Sequence, residues 1–397
     1  MGDLTVRLVE GDERLAVIRE LPGYAFNSTP PLKDSETWQE MLDDRPSAEY
    51  LALFEGERPM ACVAYLPMTQ GVRGQVYRMG GVFDVATRPD ARRKGYATRL
   101  LRELFAHMHT ADYPFSGLYP FRESFYENLG YASFPQSRLA KFSPANLHRL
   151  LKTPLEGEVE LCLLNECYEQ YYAFLDAYQP LQPGMGRFAG RPEHPGKKYP
   201  YWVAFAKRDG EVRGAMLYAM RGDRPLHYLM HVTRFYYLDH ASRYLLLEWM
   251  ARHVDQAETV NLLLAPGEQP ETWLPDLEMQ VKGENFRGMG RVLDVAGLEG
   301  INAGPGEFSV SILDAYCPWN EGVWQFRGAG GKLQVERAQE GASPQCELKI
   351  QALSAWVYGT HHPADFAFRG WGAAPSAVQQ AMQQIFPLQQ AYMHEFF

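Results

Sequence analysis

Cysteine is sparse in this sequence, and its five residues, Cys62, Cys162, Cys167, Cys317 and Cys346, form no C-x-x-C pair. Their spacing and odd number give no zinc or redox pattern, so buried, reduced thiols are expected. No H-E-x-x-H occurs, and His361-His362 has no carboxylate in helical register, so no metal site is expected. A surplus of positive charge is also missing. Lys and Arg number 39 against 48 Asp and Glu, a formal net charge of -9. That balance argues against nucleic acid as the main partner, because phosphate binding depends on cations, and it suits a cationic small substrate. No apolar run is long enough to span a bilayer and no secretory pattern stands at the start, so a cytoplasmic protein without a membrane span is expected. Gly190…Gly196-Lys197-Lys198 is one residue too long for a P-loop and lacks Ser or Thr after the lysine; it reads as a Pro/Gly loop.

What the chain does have is apolar material, 46% of 397 residues, enough for two or three cored domains. Its organising stretch runs from Gly80 to Leu101. Val82, Phe83 and Val85 alternate as a strand, and Thr87-Arg88-Pro89-Asp90 breaks it. Arg92-Arg93-Lys94-Gly95-Tyr96-Ala97 follows, and from Thr98 the stripe Leu100, Leu101, Leu104, Phe105 and Met108 reads as an amphipathic helix. A glycine loop that opens a helix is an anion site: free N–H groups point outward, the helix dipole favours negative charge, and glycine admits a phosphate to the backbone. The pattern Gln/Arg-x-x-Gly-x-Gly/Ala is that of the pyrophosphate loop of GCN5-related acetyltransferases. It arises by chance about once in every few chains of this size, and two decoys occur, Gln325 to Gly330 and Arg369 to Ala374. Only Arg92 to Ala97 lies between a strand and a long helix.

Read in order, the first third gives a strand over Thr5–Leu8, helices over Asp12–Leu21 and Ser35–Leu42, and a turn-rich loop over Pro22–Pro31. A hairpin over Tyr50–Pro67 follows, then strands at Gln75–Thr87 and Phe115–Tyr119, a helical turn over Arg122–Leu129 and a final strand or pair of strands over Ala132–Phe142. Phe125-Tyr126-Glu-Asn-Leu-Gly-Tyr131 is the second half of the acetyltransferase signature. From about residue 151 the order repeats: Cys162–Ala177 reads as a helix, Tyr201–Met220 as a hairpin across Asp209-Gly210, and a strand, helix and strand follow to Leu264. In this copy Tyr237-Leu-Asp-His-Ala replaces the basic glycine loop, so it should not hold a pyrophosphate. A third unit starts near Arg287, and its apolar tail, Phe386 to Phe397, is expected to be tied down rather than exposed.

Taken together the chain resembles the enhanced intracellular survival (Eis) family of bacterial N-acetyltransferases over essentially its whole length. The resemblance rests on Val85-x-Thr87, Arg92-Arg93-Lys94-Gly95, the Tyr126 run, Gly290-Arg291-x-x-Asp294, Pro318-Trp319-Asn320 and Glu395-Phe396-Phe397. It implies an α+β fold: an active acetyltransferase domain (1–150), a second such domain without cofactor (151–286) and a sterol-carrier-like domain (287–397), assembled as a homo-oligomer, usually a hexamer. It also implies acetyl-CoA as co-substrate and an amine acceptor on a small molecule or a lysine. Val85, Ala86 and Thr87 would hold the pantetheine, and Arg92, Arg93, Lys94, Gly95, Tyr96, Ala97 and Thr98 the pyrophosphate, with Phe121 and Arg122 on the other side. Tyr126 would act as acid and the Phe397 carboxylate as base. Phe26, Trp38, Phe83 and Glu395 are candidates for the acceptor pocket, although each aromatic is equally at home in a core. The family often carries an acid near Tyr24, where this chain has Phe26-Asn27. The competing class is a non-catalytic ligand- or lipid-binding scaffold around a relic acetyltransferase domain; cofactor binding without turnover would mark it.

Overall fold

The computed structural model describes residues 4–27, 30, 33–43, 47–190, 201–224, 227–284, 287–339 and 341–397. They form two compact units. One comprises Met1–Phe134, Pro183–Arg191 and Gly288–Phe397; the other comprises Pro135–Gln182 and Pro192–Arg287.

The first unit is built on a mixed sheet whose strands β1 (Leu4–Val9), β2 (Glu49–Glu55), β3 (Arg58–Val72), β4 (Gln75–Thr87) and β5 (Phe115–Leu118) lie side by side in that order. The strand Met289–Val292 then pairs with β5 on one side and with β6 (Ala132–Ser133) on the other. Gly186–Phe188 adds to the far end of β3. The long apolar run of β3 is buried almost throughout because both faces of the sheet are covered. On one face lie α1 (Gly11–Glu20), α2 (Pro22–Asn27) and α3 (Ser35–Asp43), with Ile18, Leu21, Trp38 and Leu42 packed on Ala52, Cys62 and Ala64. On the other lies α4 (Tyr96–Thr110), whose predicted stripe is fully buried on Leu53, Val63 and Tyr65. The loop expected at Pro22 is helical through Asn27, since proline fits the first turn of a helix; residues 28–29 and 31–32 of that stretch lie outside the described residues.

The C-terminal part of this unit has its own four-stranded sheet, Lys332–Arg337, Gly322–Ala329, Gly306–Leu313 and Cys346–Lys349, covered by the helices Ile350–Tyr358 and Ser376–Ile385. Arg291 locks it to the first sheet. Its guanidinium is fully buried, pairs with both Asp314 oxygens at 2.8 and 2.6 Å, donates to the Leu129 carbonyl and lies over the Phe105 ring.

The second unit repeats the plan with seven strands and the helix His240–Ala251. Three expectations change here. Arg138–Phe142, read as closing the first sheet, pairs instead with Ala257–Leu264 and Gln280–Gly283, because Ala140 and Phe142 alternate into a core with Val260 and Leu262. Cys162 lies on a strand, Glu158–Leu163, and the helix begins only at Tyr168. The turn between them brings Cys162 and Cys167 to a Cα separation of 6.3 Å, and they are disulfide-bonded, not reduced. Cys62, Cys317 and Cys346 are free thiols.

Candidate active site

Three features of the first unit converge where β4 leaves β5. The first is a bulge. Ala64 pairs with Phe83 but Cys62 pairs with Ala86, so Asp84 and Val85 stand opposite Val63 alone, and Asp84 has a φ of +48°. The ladder between β4 and β5 covers only Met79–Val82 against Phe115–Leu118. Beyond it, among the described residues, the backbone of Val85, Ala86 and Thr87 has no partner strand on the β5 side. An amide-rich arm can complete such an edge as an added strand would.

The second feature is the basic loop. Arg92, Arg93, Lys94 and Gly95 are exposed, and Tyr96, Ala97 and Thr98 are half-buried at the start of α4. Arg93 and Gly95 both have positive φ, +64° and +80°, and the first helical bond runs from Arg99 N–H to the Gly95 carbonyl. Among the described residues no side chain caps this end. Its free N–H groups and three cations therefore face outward as an anion nest, which fits a pyrophosphate. The equivalent helix of the second unit shows the contrast. There the Asp239 carboxylate accepts the Ser242 N–H at 2.8 Å and pairs with Arg213 at 3.1 Å and Arg208 at 3.5 Å. These partners outweigh the desolvation that opposes charge and hold its pKa below the ordinary value. The chain's own carboxylate occupies the place an anion would take.

The third feature is the pair of residues expected to transfer protons, Tyr126 through its hydroxyl and Phe397 through its terminal carboxylate. Tyr126 is 3% exposed, with its ring at the edges of Phe125, Phe121 and Tyr131. Burial, helped by the neighbouring Tyr131, pushes its phenol well above its usual range, so it stays protonated. Phe121 and Arg122 beside it are exposed. On the opposite face of the sheet the chain's last residues run along the strands. Tyr392 N–H donates to the Pro183 carbonyl and Glu395 N–H to that of Gly186, while the Tyr119 hydroxyl donates to the Glu395 carbonyl at 3.0 Å. The Phe397 ring lies so close to β4 that a methyl group on Gly81 would stand 2.9 Å from it.

The structure thus sorts the candidates into two groups. Val85, Tyr96 and Tyr126 share the core under α4; Phe83, Trp38 and Phe397 share the core under α1 to α3. Trp38 packs on Gly23, Phe83 edges onto Tyr50, and Glu395 is half-buried. Phe26 stands apart, 58% exposed on α2. Sequence reasoning passed over Tyr119, Tyr50 and Asp84. Only Asp84 left a signal, an acid interrupting an apolar alternation. Among the described residues no group of three or more His, Cys, Asp or Glu is placed to hold a metal ion, and no helix is long and apolar enough to cross a membrane.

Comparison with known proteins agrees with this geometry. An acetyltransferase (GNAT) domain family matches residues 5–134, a second acetyltransferase (GNAT) family residues 187–292, and the sterol carrier protein domain family residues 296–394. None of the curated proteins matches the chain by sequence. Among solved structures the fold is similar to a probable N-acyltransferase from Enterococcus faecalis V583, with TM-score 0.82, 20% identity and all of both chains covered. It is similar to a GCN5-related N-acetyltransferase from Anabaena variabilis, with TM-score 0.79 and 17% identity over 99% of this chain and 100% of that one. It is also similar to Eis1 from Mycobacterium abscessus, with TM-score 0.72, 15% identity and 100% of each chain covered. The chain is a GNAT acetyltransferase that takes acetyl-CoA as co-substrate, built on an Eis-like plan of two acetyltransferase domains followed by a sterol carrier protein domain.

Proposed function

We propose that the enzyme acetylates a primary amine of a cationic acceptor, an aminoglycoside, a polyamine or a lysine side chain, by direct attack. The observation that carries this reading is the course of the tail: Phe397 lies on β4 at Gly81, beside the point where β4 and β5 part. Acetyl-CoA supplies the acetyl thioester. The backbone of Val85 to Thr87 completes its pantetheine edge, the loop Arg92 to Thr98 binds its pyrophosphate, and Phe121 and Arg122 flank it.

An alkylamine arrives as an ammonium, with a reference pKa of about 10.4. The α-carboxylate of Phe397, in an aromatic setting with Tyr119, takes that proton and frees the nitrogen lone pair. As the new C–N bond forms and the C–S bond breaks, the Tyr126 hydroxyl gives its proton to the departing sulfur, the acylated nitrogen sheds its surplus proton to solvent as the neutral amide forms, and Tyr126 recovers a proton from solvent. Phe83, Trp38 and Glu395 line the acceptor side, and Phe26 stands at its rim. Assembly as a homo-oligomer, hexameric by resemblance, belongs to the same reading.

The test is thiol release from acetyl-CoA over aminoglycosides, diamines and lysine peptides, using protein that ends at Phe397 and a variant with one added glycine. The extended form should lose at least tenfold in kcat, with KM for acetyl-CoA within about twofold. Equal activity of the two forms overturns the terminal base. Silence of both over the whole panel overturns the amine acceptor.

A further inference from the structure

We propose that Asp84, positioned by Tyr50, is an ammonium-binding residue of the acceptor pocket that gives the enzyme a preference for acceptors with a second positive charge. This rests on the amine-acceptor reading above. Three observations place it there. The bulge turns Asp84 to the same face as Phe83: its Oδ2 accepts the Tyr50 hydroxyl at 2.8 Å, and Tyr50 also edges onto Phe83. That face carries Phe397 at Gly81, three residues earlier on the strand. At about 3.3 Å per residue the two points are at most about 10 Å apart, a span that a short polyamine bridges. The backbone of the bulge is held as well, since the Cys62 thiol donates to the Asp84 carbonyl at 3.5 Å.

The choice of residue points the same way. A positive φ admits Asn as readily as Asp, so conformation alone does not call for a charge. A carboxylate at a half-buried site costs free energy in desolvation unless it meets donors or cations. Tyr50, itself 3% exposed, supplies one such donor. Asp84 thus serves in this reading as an ion-pair partner rather than as a base. It complements the terminal carboxylate, which faces the reacting amine, by holding a second cationic group of the same molecule.

Steady-state thiol release at saturating acetyl-CoA, with 1-aminopentane and 1,5-diaminopentane as acceptors, tests this on the full chain. The unmodified enzyme should favour the diamine in kcat/KM, and 0.5 M NaCl should erode that preference. Asp84→Asn keeps the acceptor for Tyr50 and the tolerance of positive φ. It should lower the diamine-to-monoamine ratio at least tenfold, mainly through KM for the diamine, and Asp84→Glu should restore part of it. A purely structural role would shift thermal stability and KM for acetyl-CoA and leave the ratio alone. An unchanged ratio in Asp84→Asn overturns the assignment, as does an unmodified enzyme with no diamine preference, a result that needs no variant to fold. Turnover of neither amine, or of any in the wider panel, overturns the acceptor reading and this assignment with it.

Discussion

Gly80 and Gly81 carry two opposite duties in adjacent positions. A methyl group on Gly80 would run into Met108 of α4, and one on Gly81 would meet Met68 and the Phe397 ring on the other face. Successive strand residues point to opposite faces, so the dipeptide lets a helix and the chain's tail both close on one strand. The sequence shows the pair but not its reason, because Met108 and Phe397 are distant in the chain. Tyr126 is the reverse case. The Phe-Tyr-x-x-Leu-Gly-Tyr run singled it out, and its burial among Phe121, Phe125 and Tyr131 keeps its proton available at neutral pH. Tyr126→Phe removes only the hydroxyl. If that group protonates the departing thiolate, kcat should fall at least tenfold while KM for acetyl-CoA moves less than about twofold. Undiminished turnover in a thiol-release assay would exclude Tyr126 as the acid.

At the scale of the element, two helix N-termini in one chain show what makes an anion site. The helix His240–Ala251 begins with a carboxylate, Asp239, that accepts the Ser242 N–H; α4 begins with Gly95, which has no side chain to do so. This difference was legible in the sequence, as glycine and cations against Leu-Asp-His. The bulge was not, since its register depends on pairing with β3 and leaves only the misplaced acid of Phe83-Asp84-Val85 as a trace. Gly95 separates conformation from space. At φ +80° it adopts a backbone that side chains avoid, yet a methyl group there would touch nothing within 4 Å. Gly95→Ala therefore adds about 1–3 kcal/mol of backbone strain, relieved by rebuilding the loop. The helix itself is held by Leu100, Leu101, Leu104, Phe105 and Met108. KM for acetyl-CoA should rise about three- to thirtyfold, with far-ultraviolet circular dichroism unchanged. An unaltered KM would show that the loop conformation seen here is not what binds the pyrophosphate.

Across the molecule, the linear order of domains hides how the first unit is closed. The strand Met289–Val292 sits between β5 and β6, Arg291 is buried against Asp314, and Arg73 at the β3–β4 turn donates to the carbonyls of Trp356, Val357 and Pro387. Four residues such as Met-Gly-Arg-Val carry no local sign of which sheet they will join, which is why this long-range closure was not legible although most of the elements were. Tyr126 and Tyr131 are deeply buried in one core of this unit and Tyr358 in the other, and desolvation raises each phenol above its usual value. The sign of the resulting pH dependence follows directly. Below about pH 10, the ordinary tyrosine value, folded and unfolded chains both keep these protons and the three groups leave stability unchanged. Above it the unfolded chain releases protons that the folded unit retains, so the unfolded state gains. Each tyrosine then removes up to about 1.4 kcal/mol of stability per pH unit, or about 4 kcal/mol for the three together. The urea midpoint of the first unit, followed by near-ultraviolet circular dichroism, should hold level to about pH 10 and fall steeply by pH 11.5. Tyr358→Phe also loses the hydrogen bond to Gln70, so it should start from a lower midpoint and fall less steeply. A midpoint that stays level to pH 11.5 would mean that these phenols ionise as freely in the folded enzyme as in the unfolded chain, and would overturn the raised values argued here.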